Sequence, residues 1–434
     1  MDSFATAADL LSAHVMAAVA AILLAGAGLA RLAQRLGQPP VIGEIAAGIV
    51  LGPSLLGLLP GDPSSQLFPP GIKPMLGAVS QFGLLLFLFL IGWEFNKNLI
   101  NSRRGTAGAV SASSVLVAFG LGAVLALGLY AGHDRLDGET INRTGFVLFI
   151  GAAMAVTAFP VLARILGDSG LMHTRVGALA LASAAVDDVI AWCLLAFVSA
   201  TVTASGQGDL LVILLLSVAY VALMLVVVRP LLARLVARLP GPSLLPVLAA
   251  GAFLSSYATT WIGIHAIFGA FLFGFVMPRE IVDLTGARVV PLSTLREALE
   301  GVAAVMLPVF FIITGLGVDI TALTARNYLE LLAILVVACA GKFLGACVPA
   351  RLSGMPWREV GVLGVLMNTR GLTELIILNA GAQLGVLDTQ MFTMMVIMAL
   401  FTTALAGPLL PVLLRRPLNQ AAPDGSRPEA ALGV

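Results

Sequence analysis

Charge is what this 434-residue sequence has least of: Asp, Glu, Lys and Arg together make up 11% of it, against about 25% in a soluble domain. Apolar residues make up 59%, and the mean hydropathy is +1.02. The chain therefore reads as a membrane protein. A bilayer-crossing helix takes about 20 apolar residues, so thirteen of them would occupy about 260 residues and leave only short connections. No room remains for a soluble domain, which excludes cytoplasmic enzymes, nucleic-acid binders and receptors with folded ectodomains. No cofactor is expected. Cysteine is sparse as well: Cys193, Cys339 and Cys347 all fall inside apolar runs and are read as packing residues, with no redox compartment implied. The N-terminus opens with Asp2 and lacks a basic n-region, so the first apolar run is expected to remain as a span.

What is present is a long series of apolar runs. Cutting at charge and Pro/Gly clusters gives spans near Ala13–Leu32, Val41–Leu56, Met75–Phe95, Ala107–Ala131, Thr144–Leu166, Val176–Ser199 and Leu210–Val228. Six more lie near Leu244–Ala258, Ile262–Met277, Ala298–Val318, Tyr328–Ala350, Val360–Ala382 and Met391–Leu414. The second, eighth and ninth are the shortest. The fold class expected is an all-α polytopic membrane protein of about thirteen transmembrane helices. Residues 1–416 form the transmembrane domain, and 417–434 a short cytoplasmic tail without order.

The 24 basic residues test that count. Eighteen fall in connections after odd-numbered spans or in the tail, among them Arg31, Arg35, Arg164, Arg229 and Arg296. Only Lys73, Arg135, Arg143 and Arg326 fall in even-numbered connections. The positive-inside rule then places the N-terminus outside and the C-terminus in the cytoplasm of a multi-pass protein of the plasma or inner membrane, which requires an odd number of spans. Two segments also echo each other. LLLFLFLIGWEF (Leu84–Phe95) is similar to LPVFFIITGLGVDI (Leu307–Ile320), and GEIAAGIVLGP (Gly43–Pro53) to GAFLFGFVMP (Gly269–Pro278). This predicts a first repeat over about 41–200 and a second over about 262–414, in opposite orientations.

Ionisable residues far from a helix end cost about 2.5–3.5 kcal/mol each on insertion scales, so each needs a partner or a function. Asp187 and Asp188 sit roughly 17 Å deep in the sixth span at 1.5 Å per residue. The fifth span carries Thr157, Phe159 and Pro160, and Pro160 removes a backbone donor and clashes one turn back, freeing carbonyls. The twelfth carries Asn368, Thr369, Arg370, Gly371 and Thr373, polar and flexible residues with which an apolar helix interrupts itself. The three irregularities share one depth. Two broken helices beside an acidic pair make a midplane cation site, with open carbonyls and helix ends helping to coordinate the ion. Lys342, near the same level, reads as a counter-ion. Asp187, Asp188 and Glu374 against Lys342 and Arg370 leave a net of one negative charge, which one Na⁺, one K⁺ or one proton would balance. A carboxylate taken out of water holds a proton more readily, so proton and cation compete for it. If only loaded states cross between the two exposures, that competition is exchange.

Four strings, TAFPVLARIL, SAAVDDVIAW, IGIHAIFGAF and MNTRGLTELI, together resemble the monovalent cation:proton antiporter superfamily. The resemblance is to the branch of bacterial Na⁺(K⁺)/H⁺ antiporters and plant cation/H⁺ exchangers, and it covers nearly the whole chain. It implies thirteen helices in inverted repeats, a homodimer, and an elevator-like core of helices 4–6 and 11–13 moving against a dimerising scaffold. It implies that Asp188 is the essential cation- and proton-binding aspartate and Asp187 the neighbouring position, acidic in electrogenic members. It also implies that Thr157 and the break in the twelfth helix mark the crossing of the two interrupted helices. The sequence departs from the pattern in having no basic residue in Ala298–Val318, where some electrogenic members carry a lysine. Thr260 stands where an acid is expected in many relatives, and the tail is too short for a regulatory domain.

Plainer readings stand beside these. Arg370 and Glu374, four apart, could form a structural ion pair on an intact helix or take part in gating. Glu44 and Glu94 lie near helix ends and read as interfacial, or as lining a funnel by which ions reach the site. His265 reads as packed or hydrogen-bonded. Among competing functions, an intramembrane aspartyl protease fails because adjacent residues project about 100° apart on a helix. A sodium-coupled organic-solute symporter would want a larger polar cavity, and a channel would pass a large current.

Overall fold

Long runs of Leu, Ala, Val and Gly without water to bond their backbone favour helices, in which each segment satisfies its own peptide groups. The computed structural model describes residues 7–94, 104–136, 138–172, 174–204, 206–238, 241–278, 281–282, 289–290 and 293–414, so the expected tail 417–434 lies outside them. The first helices are α1 (Ala7–Arg35), α2 (Pro40–Leu51), α3 (Lys73–Glu94) and α4 (Arg104–Leu129). Next come α5 (Arg143–Ala155), α6 (Phe159–Asp168), α7 (Arg175–Thr203), α8 (Gln207–Leu223), α9 (Arg229–Arg238), α10 (Gly241–Ile262) and α11 (Ala266–Val276). The last are α12 (Ser293–Leu316), α13 (Ala325–Leu352), α14 (Trp357–Met367), α15 (Leu372–Gln383), α16 (Thr389–Ala404) and α17 (Ala406–Leu413). Among the described residues, two small hairpins pair Arg135–Leu136 with Glu139–Thr140 and Ile281–Val282 with Val289–Val290.

Among the described residues, 12 helical segments are long and apolar enough to cross a membrane, one fewer than the sequence predicts. The difference is α11, an apolar helix of 11 residues that rises only about 16 Å at 1.5 Å per residue. Its ends nevertheless lie far apart in the bundle. His265, which caps its start, bonds Gln383 at the end of α15 at 3.0 Å. The Pro278 carbonyl, past its finish, accepts from Trp93 Nε1 near the end of α3 at 3.1 Å.

The helices pack in two groups. In one, α2 lies between α1 and α12, α3 between α11 and α12, and α10 against α11. In the other, α4 runs along α13 and packs on α5 and α7, with α14 to α17 filling in around them. Glycines let backbones meet in the first group, and they do so in matched pairs. A Cβ at Gly43 of α2 would collide with the Leu29 carbonyl of α1, and one at Gly269 of α11 with the Ser255 carbonyl of α10. Five residues on, Gly48 of α2 meets Ile312 and Gly315 of α12, while Gly274 of α11 meets Phe89 of α3, whose Gly92 meets Phe271 in return. The two echoed segment pairs of the sequence are thus also paired in their contacts. The deepest burial falls on the two interrupted spans: 94% of the apolar window is buried in Trp357–Gln383 and 72% in Arg143–Gly167, against 17% in Leu11–Arg35.

Candidate functional site

Two helices stop and restart at the same place. α5 ends at Ala155 and α6 begins at Phe159, and α14 ends at Met367 while α15 begins at Leu372. Pro160 does not act from within a helix by clashing one turn back; it sits in the first turn of α6, where its missing N–H costs nothing and its fixed φ favours the helix. The break therefore falls upstream, over 156–158. The two breaks are stitched together by the Ala158 N–H, which donates to the Thr369 carbonyl at 3.2 Å, and by Thr157 Oγ1, 3.0 Å from the Met367 carbonyl. Gly371 turns the second break with φ +149°, backbone space that a side chain resists, and a Cβ there would press on Val161.

A split helix exposes a partial negative charge at each C-terminus and a partial positive charge at each N-terminus. The charged side chains match this pattern. Arg370 reaches the C-terminal end of α5, with Nη1 2.9 Å from the Ala153 carbonyl and Nη2 2.7 Å from that of Met154. Lys342 of α13 donates to the Ala155 carbonyl at the same end. The carboxylates take the other polarity: the Phe159 N–H at the start of α6 faces Asp188, and Glu374 lies in the first turn of α15.

Four of the five charges then pair off. Asp187 Oδ2 lies 3.1 Å from Lys342 Nζ, and Glu374 Oε2 2.9 Å from Arg370 Nη1; all four residues are fully buried. The second pair spans the break, not an intact helix turn. Asp187 is further held by Ser111 Oγ at 2.5 Å and by Thr157 Oγ1 at 2.9 Å, and Lys342 by Thr157 at 2.8 Å and Ser114 at 3.2 Å. The single Thr157 proton serves Asp187 or Met367, one at a time. Asp188 is left over. It is 7% exposed, faces the Thr373 hydroxyl as well as Phe159, and its Oδ1 has no hydrogen-bond partner among the described residues. Asn368 Oδ1 and Glu374 Oε1 are likewise unpartnered there, while Asn368 Nδ2 contacts Cys339 Sγ at 3.6 Å. No cluster of three or more His, Cys, Asp or Glu suited to a metal is present among the described residues; the donors offered are one carboxylate and neutral oxygens, a set suited to a weakly held hard cation.

A cavity of about 510 Å³ is lined by Gln34 of α1 and Gln38 just past it, by Arg164 and Ser169 around α6, and by Thr403 of α16. Thr403 Oγ1 in turn bonds both the N–H (3.1 Å) and the carbonyl (2.6 Å) of Arg370. Glu44 is half-buried on α2 with Arg164 as its charged neighbour. Glu94 pairs with Arg296 at the surface. Ser111, Ser114 and Thr403 were not legible as site residues, because serines and threonines in Gly/Ala-rich helices look the same when they merely pack.

Comparison with known proteins finds relatives of this chain. The family described as sodium/hydrogen exchanger, transmembrane, matches residues 19–416. The Na(+)/H(+) antiporter NhaS4 of Synechocystis is 41% identical over 397 residues, 88% of this chain and 93% of that protein. The K(+)/H(+) antiporter 1 of Saccharomyces cerevisiae is 33% identical over 387 residues, 86% of this chain but 43% of its own, so the chain spans under half of that relative. In fold, the sodium proton antiporter MjNhaP1 of Methanocaldococcus jannaschii is similar at a TM-score of 0.62 and 15% identity, covering 92% of this chain and 96% of that one.

Proposed function

The chain belongs to the sodium/hydrogen exchanger family, and from that premise we propose that it is a secondary antiporter, not an enzyme, exchanging Na⁺ or K⁺ for H⁺ at Asp188. One observation carries the reading: of five buried charges at the helix crossing, Asp188 alone lacks a basic partner among the described residues. A carboxylate in that position binds either a cation or a proton, and each expels the other. Lys342 supplies from α13 the counter-charge that no residue of Ala298–Val318 provides. With Asp187 committed to it, one cation moves for one proton and the exchange is electroneutral.

The moving unit in this reading is the group built on helices 4–6 and 11–13, here α4 to α7 and α13 to α17, and the other group is the scaffold. The matched glycine contacts support two repeats of opposite orientation, over about 41–200 and 262–414. α11 counts as a thirteenth crossing, completed at both ends by extended residues, which restores the odd number and puts the N-terminus outside the cell membrane and the C-terminus in the cytoplasm. The cavity beside Thr403 then opens inward. The protein acts as a homodimer in monovalent cation and pH homeostasis.

The test is transport in proteoliposomes carrying a pH dye, with Na⁺, K⁺ and membrane potential varied. Exchange is expected with at least one of the two cations, insensitive to potential and abolished in Asp188→Asn. Full exchange by Asp188→Asn would overturn the assignment.

A further inference from the structure

The chain has four histidines, and one of those described is held between two acids. His133 lies just past α4 and is 1% exposed in its side chain, yet both of its ring nitrogens face carboxylates: Nδ1 is 2.7 Å from Asp388 Oδ2 and Nε2 3.0 Å from Glu330 Oε2. A neutral imidazole donates from one nitrogen only. Its other lone pair would point at a carboxylate oxygen across a hydrogen-bond distance. The geometry therefore requires a bound proton, on the ring or on one of the acids.

The surroundings hold the three groups in place. Arg326 Nε bonds Glu330 Oε1 at 2.8 Å and Asn327 Nδ2 bonds Glu330 Oε2 at 3.0 Å, both from α13. Asp388 caps α16, its Oδ1 accepting from the Met391 N–H at 2.7 Å. From α5, Arg143 lies over the Tyr130 ring, 5.9 Å from its centroid. The charged groups facing the histidine from the packed elements are thus two acids, with one arginine neutralising Glu330 and a second arginine behind a ring. Burial works against a charged imidazole here, but the hydrogen bonds and charges of Asp388 and Glu330 outweigh it and hold its pKa above the ordinary histidine value.

We propose that His133, Glu330 and Asp388 form a second proton-binding site, separate from the transport aspartates, which clamps α4, α13 and α16 together while protonated and releases them as the solution at that face turns alkaline. The clamp joins the helices that hold Asp187: α4 carries Ser111 and Ser114, α13 carries Lys342, and the two backbones touch where Gly345 meets Ser114 and Gly341 meets Ala118. Release loosens that contact and with it the grip on Asp187. The effect on exchange rests on the function proposed above; the clamp itself does not.

The sign follows from the proton's place. A group whose pKa is raised by folding stabilises most below its unfolded value, about 6.5 for histidine, and that contribution is lost as pH rises through the folded value. The test uses the full chain in nanodiscs without an ion gradient. Histidine ¹³C NMR and thermal unfolding are followed against pH for wild type, His133→Gln and Asp388→Asn, the last of which keeps the helix cap. One histidine, lost in His133→Gln, is expected to titrate above the ordinary value, with the wild-type unfolding midpoint falling across the same range. In His133→Gln that fall disappears, and in Asp388→Asn the titration moves down. A wild-type His133 titrating at or below the ordinary value would sink the proposal, as would a His133→Gln protein that keeps the wild-type pH dependence. Should His133→Gln not fold, the wild-type titration and its shift in Asp388→Asn decide alone. The same profiles are expected in Asp188→Asn, so failure of the transport reading leaves this test standing.

Discussion

At the residue scale, four of the five buried charges of the site are tolerated because they are paired, Asp187 with Lys342 and Glu374 with Arg370. Taking one member from a buried pair strands the other and costs about 3–5 kcal/mol, whereas removing both can be close to neutral. Lys342→Met is therefore expected to lower stability by about that much, read as a drop in the unfolding midpoint in detergent, and Lys342→Met with Asp187→Leu to recover part of the loss. A double variant no more stable than the single one would show that Asp187 is held by Ser111 and Thr157 and not by the ammonium. Arg370 is not replaceable by lysine on the same reasoning: one flat fork serves two carbonyls and Glu374, and a point charge cannot. The carboxylates and cations of this layer were legible from sequence because their depth was. Who pairs with whom was not, since residues at one depth on different helices need not touch; Lys342 could be placed at the level of the aspartates but not joined to Asp187.

At the scale of the element, the broken helices show what composition can and cannot say. Polar residues and Gly371 marked the second break correctly. The first interruption falls over 156–158, beside Thr157 and Phe159 where freed carbonyls were expected, but Pro160 stands in the first turn of the restarting helix, a place that suits proline as much as the interior of a helix does not. Gly371→Ala forces a side chain into φ +149° against Val161, and strain of this kind costs about 1–3 kcal/mol; exchange slows while the fold survives. In α11, Gly274→Val drives a side chain into the backbone of α3, and overpacking typically costs about 1–3 kcal/mol. Gly301→Val in α12 meets nothing within 4 Å and serves as the control. Equal unfolding midpoints for these two variants would remove the argument that matched glycines set the distance between the echoed helices.

At the scale of the whole molecule, the number of crossings decides which face is which. If α11 crosses, Thr260 and Glu297, both exposed, lie on opposite sides. On a background without Cys193, Cys339 and Cys347, an impermeant thiol reagent added to intact cells is expected to label Thr260→Cys at once and Glu297→Cys only after the inner face is opened. Labelling of both from one side would leave twelve crossings and undo the orientation read from the basic residues. On the proposed thirteen crossings, extended residues at both ends of the short helix complete the path, with polar groups that meet Gln383 and Trp93.

By itself, the sequence determined the solvent, the helical class, the echoed segments and the position of each charge along its helix. Each depends only on the order of residues along a chain with fixed rise per residue. The tertiary structure decided which charge was left over. Pairing is a matter of distance between helices that are far apart in sequence: Asp187 meets Lys342 across 155 residues and Ser111 across 76, and His133 meets Asp388 across 255. No local pattern encodes those meetings, because they follow from the packing of the whole bundle.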